Sequence, residues 1–137
     1  MKKIAGFIIA VATLVLCFTL CACGKGYSSN YSASRMTSKN DSNGASVSFD
    51  SFKGTYVIKM DNKGAGETLI AYEATLQEGN IKVYYDFNDE KLSLFEIGAN
   101  GNVEGKTEAF TGNKTIYIII ESDDKCKEGS FSFVLEK

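Results

Sequence analysis

The chain has 137 residues, enough for one domain plus appendages. Its 15 basic and 17 acidic side chains give a net charge of −2, with no basic cluster to draw it to nucleic acid or anionic lipid. It contains no histidine, which excludes histidine-dependent triads, general bases and metal sites.

In chain order, Met1-Lys2-Lys3 is a short basic start, and Ile4 to Leu20 is almost wholly apolar apart from Thr13 and Thr19. A secretory signal peptide reads this way, although about 20 apolar residues left uncut would just span a bilayer. The residues that follow separate the two readings. Leu20, Cys21, Ala22 and Cys23 resemble the lipobox of bacterial lipoproteins, with Leu20 three places before the lipidated cysteine and the small Ala22 directly before it. Cys21 departs from the small or hydroxylated residue usual at its place. Cys17 and Cys21 fit the acceptor position less well, since each follows a leucine. The resemblance implies cleavage after Ala22 and a diacylglyceryl group on Cys23, two chains that suffice for stable anchoring. It places the protein outside the cytoplasm, lipid-anchored to the bacterial cell membrane. Cys17 and Cys21 would leave with residues 1–22, so Cys126 would remain the one free thiol, with no intramolecular disulfide open to it. Losing Lys2 and Lys3 as well takes the 15 basic residues to 13 against 17 acidic, a mature charge near −4.

Residues 23–46 are rich in serine, asparagine and glycine and show no apolar periodicity. Such a segment buries too little surface to offset its ordering entropy, so it is expected to be a flexible tether. The domain proper is then 47–137.

Within it, period-two alternation dominates, the mark of half-buried strands. In "ETLIAYEATLQE" (67–78) the composition suits a helix capped by Gly79, whereas as a strand Ile70, Tyr72, Ala74 and Leu76 line one face. The strand reading is preferred, with Gly79-Asn80 as a tight hairpin turn into the next strand. There Ile81, Val83, Tyr85 and Phe87 share one face, and Lys82, Tyr84 and Asp86 the other. "TIYIIIE" (115–121) is apolar on both faces and β-branched, as a central strand should be. Phe131, Phe133 and Leu135 alternate with Ser132, Val134 and Glu136. Breaks are expected at 61–66, 98–105, 111–114 and 122–129. The fold class is all-β, an antiparallel β-sandwich or jelly roll.

"FKGTYVIKM", "LQEGNIKVYYD", "EKLSLFEIG" and the closing "GSFSFVLEK" together resemble the domains of small bacterial lipoproteins and jelly-roll modules shaped like carbohydrate-binding domains. That resemblance rests on strand patterning and does not carry function.

No G-x-S-x-G elbow or phosphate-binding glycine motif is present, and "GAGET" (64–68) has the wrong spacing for one. The chain is therefore read as a non-enzyme. Asp86, Asn88 and Glu90 place oxygen ligands at alternate positions and are the candidates for calcium, the one cofactor worth naming, with "ESDDK" (121–125) as a second acidic segment. Tyr84, with Lys82 and Asp86 beside it, is the candidate ligand site, since a flat ring stacks on a sugar while its neighbours supply hydrogen bonds. Tyr56, Tyr72 and Tyr117 are further candidates for a sheet face. Two functions follow as expectations: an envelope accessory that docks a protein partner, or a module that binds carbohydrate or peptidoglycan.

Overall fold

A computed structural model describes residues 27–41, 43–62, 66–87, 89–111 and 115–137. The signal segment, Leu20, Cys21, Ala22 and the acceptor Cys23 lie outside the described residues. The strands are β1 (Asn30–Ser34), β2 (Thr37–Asn40), β3 (Gly44–Asp61), β4 (Glu67–Glu78), β5 (Ile81–Asp86), β6 (Leu92–Ile97), β7 (Gly101–Lys106), β8 (Phe110–Thr111) and β9 (Thr115–Glu136). All pairings are antiparallel. No helix occurs among the described residues.

At 18 and 22 residues, β3 and β9 far exceed the usual 3–10. Each bends and serves both layers of a β-sandwich. One layer runs β6, β5, the first half of β9, the second half of β3, then β1. The other runs β7, β4, the second half of β9, the first half of β3, then β2. The alternating residues explain why the layers close on each other. Ile116, Ile118 and Ile120 of one half of β9, and Phe131, Phe133 and Leu135 of the other, are buried in one core. Phe95 of β6 meets Phe131 and Phe133 of the opposite layer at ring separations of 6.2 and 6.4 Å. Burying each such ring or branched side chain stabilises the fold by about 1.5–3 kcal/mol.

β4 is a strand, and Ile70, Ala74 and Leu76 are buried on the face expected. Gly79-Asn80 is not a hairpin turn. β4 runs along Glu136 to Lys127 of β9, and β5 continues along the same edge from Glu121 to Tyr117. The two are one interrupted lane, and Gly79 (φ +103°) lets it turn the corner without reversing. Beside it, β9 turns through 122–126, where a break was expected, and the β3–β9 register shifts between Phe52 and Gly54. Cys126 sits at the centre of this corner, fully buried, with its Sγ 3.0 Å from Ser122 Oγ.

Two further departures from the sequence reading share one cause. Residues 30–34 and 37–40, expected in the tether, pair along β3, and β3 itself starts at Gly44 rather than Val47. Residues 101–105, expected within the break at 98–105, pair with β4 as most of β7. Edge strands need only one hydrogen-bonded neighbour and little burial, so their side chains stay polar. Every residue of β2 is exposed.

Candidate functional site

The outer face of the β5 layer brings together side chains that are far apart in sequence. Cross-strand pairing sets Lys82 opposite Glu121 and Glu96, Tyr84 opposite Ile119 and Ser93, and Asp86 opposite Tyr117. The β5–β6 register shifts between Val83 and Tyr84, where Leu94 of β6 is the extra residue, while β5 keeps an unbroken register with β9. Lys82 and Tyr84, with Asn80 before them and Glu121 to Asp124 of β9, line a depression of about 290 Å³.

Each wall is held by local contacts. Lys91 Nζ lies 4.3 Å from the centre of the Tyr84 ring and donates to Glu121 Oε2 at 2.9 Å, so the half-buried ring is steadied by its own cation. Ser122 Oγ is within 2.5 Å of the Asp124 carbonyl and 3.1 Å of the Asn80 carbonyl, tying the floor to the corner. Asp123 and Asp124 are exposed. The depression therefore offers one aromatic ring, carboxylates that accept hydroxyl protons and a lysine that donates. Ser122 and Lys125 have the S-x-x-K spacing of some serine nucleophiles, but in extended β9 the hydroxyl is buried and the lysine exposed.

Tyr84 and Lys82 thus meet as expected, and Asp86 does not join them. It is 5% exposed and accepts a hydrogen bond from the Tyr27 hydroxyl. Asp86 also belongs to the calcium set Asp86, Asn88, Glu90, and its hydrogen bond from Tyr27 takes one of the two carboxylate oxygens. Asn88 lies outside the described residues, Glu90 is exposed, and among the described residues no group of acidic or cysteine side chains is placed to hold a metal. Of the other tyrosines, Tyr72 points inward and stacks on Phe95 at 4.9 Å. Tyr56 packs edge-on against Tyr31 at 5.2 Å. Only Tyr117 shares the outer face with Tyr84, and the Tyr27 ring leans on it at 5.3 Å, tilted by 56°. Burial, and then the hydrogen bond to Asp86, push the Tyr27 hydroxyl up to about 12.

A larger hollow of about 480 Å³ lies on the outer face of the other layer, between β4, β7 and β9. Its floor is Ala71 and Val134, its rim carries Glu73 and Glu104, and its lysine, Lys106, is paired with Glu136 at 2.9 Å. It presents no outward aromatic ring, since Tyr72 there is turned into the core. The smaller depression has the richer chemistry.

Tyr27, Asn80 and Lys91 are site residues that sequence reasoning missed; Asn80 was read only as part of a turn. Tyr27 fell in the supposed tether, and Lys91 is positioned only by the β6 register.

No protein-family model matches the chain, and no curated protein matches it. Among solved structures it is similar to TmCBM61, a carbohydrate-binding module in complex with β-1,4-galactotriose, at 15% identity and a TM-score of 0.51, covering 80% of this chain and 88% of that one. It is also similar to the C-terminal CBM6 of the laminarinase LamC from Zobellia galactanivorans, at 11% identity and TM-score 0.41, covering 76% and 98%. A CBM4 module follows at 10% identity and TM-score 0.38, covering 76% and 80%. At these identities the first likeness establishes the β-sandwich fold alone, and the weaker two add no weight.

Proposed function

We propose that this chain is a carbohydrate-binding module of the cell envelope, not an enzyme, and that it holds a neutral glycan on the Tyr84 face. The observation that carries the reading is the depression in which Tyr84, Lys82, Asn80, Glu121, Asp123 and Asp124 converge. A pyranose takes the place of the Lys91 ammonium on the Tyr84 ring, and its hydroxyls donate to the carboxylates and accept from Lys82 and the displaced Lys91. The likeness in fold to a module solved with β-1,4-galactotriose supports the same ligand class.

Thermal melting of the chain against a panel of cell-wall and host glycans tests this. A ligand that binds only the folded state adds about 2.7 kcal/mol at a hundredfold excess over its dissociation constant. A melting rise with one glycan class, lost in Tyr84→Ala, supports the proposal. No rise across the panel refutes it and turns attention to a protein partner, the other role expected from the sequence.

The same proposal keeps the lipid anchor at Cys23, on the strength of the lipobox resemblance. Tyr27 is the first described residue, and in the sequence Gly24, Lys25 and Gly26 lie between it and Cys23. Four residue steps reach at most about 14 Å. The module would then work close against the membrane.

A further inference from the structure

We propose that Tyr27 occupies a second sugar subsite on the same face, built from the Tyr117 ring and the Asp86 carboxylate, and that an oligosaccharide displaces it. The inference rests on the glycan-binding reading above and goes beyond it, to the length of the ligand and the way its access is controlled.

The outer face of a sheet is ordinarily wet, yet Asp86 is 5% exposed and its outer-face neighbour Ile119 only 1%. A carboxylate is this well buried only when something supplies a hydrogen bond. Here that donor is the Tyr27 hydroxyl. Tyr27 belongs to no strand. It precedes β1, and the strap it ends is pinned to the β3 edge where the Val57 amide donates to Ser29 Oγ at 2.9 Å. From that edge the side chain reaches past β3 to Tyr117 of β9 and Asp86 of β5.

What lies beneath Tyr27 repeats the chemistry of the depression beside it. Tyr84 has Glu121, Asp123 and Asp124 as neighbours, and Tyr117 has Asp86. In both places an aromatic ring adjoins a carboxylate able to accept a hydroxyl proton. Tyr84 and Asp86 are two residues apart on one strand and share its outer face, a spacing of about 6.8 Å. Neighbouring rings of one saccharide chain can span it. The Tyr27 side chain, a six-membered ring with one hydroxyl donated to Asp86, takes the place a sugar ring would fill. It leans on Tyr117 rather than lying flat, so a pyranose stacked squarely there would contact more of the ring.

A resident competitor lowers apparent affinity by the fraction of time the subsite is open. If the strap is open for about a tenth to a third of the time, removing its side chain tightens binding about three- to tenfold. Only ligands that reach both subsites gain. Titration calorimetry on the full chain and on Tyr27→Ala tests this, with galactose and β-1,4-galactotriose, glucose and cellotriose, and N-acetylglucosamine and chitotriose as probes. The expected result is a tighter trisaccharide in Tyr27→Ala, an unchanged monosaccharide, and loss of the gain when Tyr117→Ala is added. Tyr27→Phe keeps the ring and loses only the hydroxyl, so it should show a smaller gain in the same direction. It serves as the readout if Tyr27→Ala no longer melts cooperatively. A trisaccharide that binds wild type and both Tyr27 variants equally, and still depends on Tyr84, overturns the second subsite and leaves the module intact. No binding of any probe by wild type or variants overturns both.

Discussion

Gly79→Ala should be among the most damaging small substitutions in this chain, for reasons that can be separated into two parts. The first is backbone conformation. Gly79 has φ +103°, and an L side chain there costs about 1–2 kcal/mol. The second is space. A Cβ built on Gly79 would lie 2.5 Å from Cys126 Sγ and 2.9 Å from both Cα and Cβ of Cys126. Carbon atoms sit comfortably about 3.5–4.0 Å apart, so roughly 1 Å of movement is required. It cannot come from a side chain alone, because Cys126 Cα belongs to β9, which is paired there with Phe52. Overpacking of this kind costs about 1–3 kcal/mol. The total is about 2–5 kcal/mol, or a fall in melting temperature of about 8–20 °C at about 4 °C per kcal/mol. Gly66→Ala isolates the first part, since Gly66 has φ +116° with nothing within 4 Å of the added atom. It should fall by only about 4–8 °C. Parallel melting curves decide the matter: equal losses in the two variants would refute the account of the corner as a close-packed turn around Cys126.

The half-buried, hydrogen-bonded Tyr27 hydroxyl gives a dependence on alkaline pH. In the unfolded chain it ionises near 10 and in the fold near 12, so the folded state holds the proton more tightly. The stability from this contact is full below pH 10 and is lost as pH rises through about 12. Chemical unfolding across that window should show the loss in wild type and a smaller one in Tyr27→Phe. Cys126, with no exposed surface, should resist thiol labelling in the native chain and react on denaturation, as peptide mapping of the label will show. Rapid labelling of Cys126 in the native state would mean that the corner opens. For the anchor, Cys23→Ala should abolish incorporation of a radiolabelled fatty acid, and persistent labelling would remove the lipid from the proposal.

The parts of this fold legible in the sequence are those where burial enforces a pattern. Phe131, Phe133 and Leu135 alternate with polar residues, and Ile116 to Ile120 are apolar on both faces because strands flank them and side chains cover both faces. Ile70, Ala74 and Leu76 outweighed the helical composition of β4 for the same reason. What stayed hidden depends on partners distant in the chain. β1 and β2 satisfy their backbones on β3 and bury almost nothing, so their sequences look like linker. The corner at 122–126 is polar and charged, as loops are, yet the strand runs through it. At the site, alternation correctly put Lys82 and Tyr84 on the outer face. It could not show that Asp86 would be covered from residue 27, because only the folded strap brings Tyr27 across 59 positions of chain.

The central claim, that a glycan sits on the Tyr84 face, is tested most directly by locating a bound saccharide residue by residue. Backbone amide chemical shifts of the chain titrated with the glycan that most raises its melting temperature would do this. The account predicts that the largest changes fall on Asn80, Lys82, Tyr84 and Glu121 to Asp124, and vanish in Tyr84→Ala. Changes centred instead on Val134, Lys106 and Glu73 of the opposite layer would contradict it.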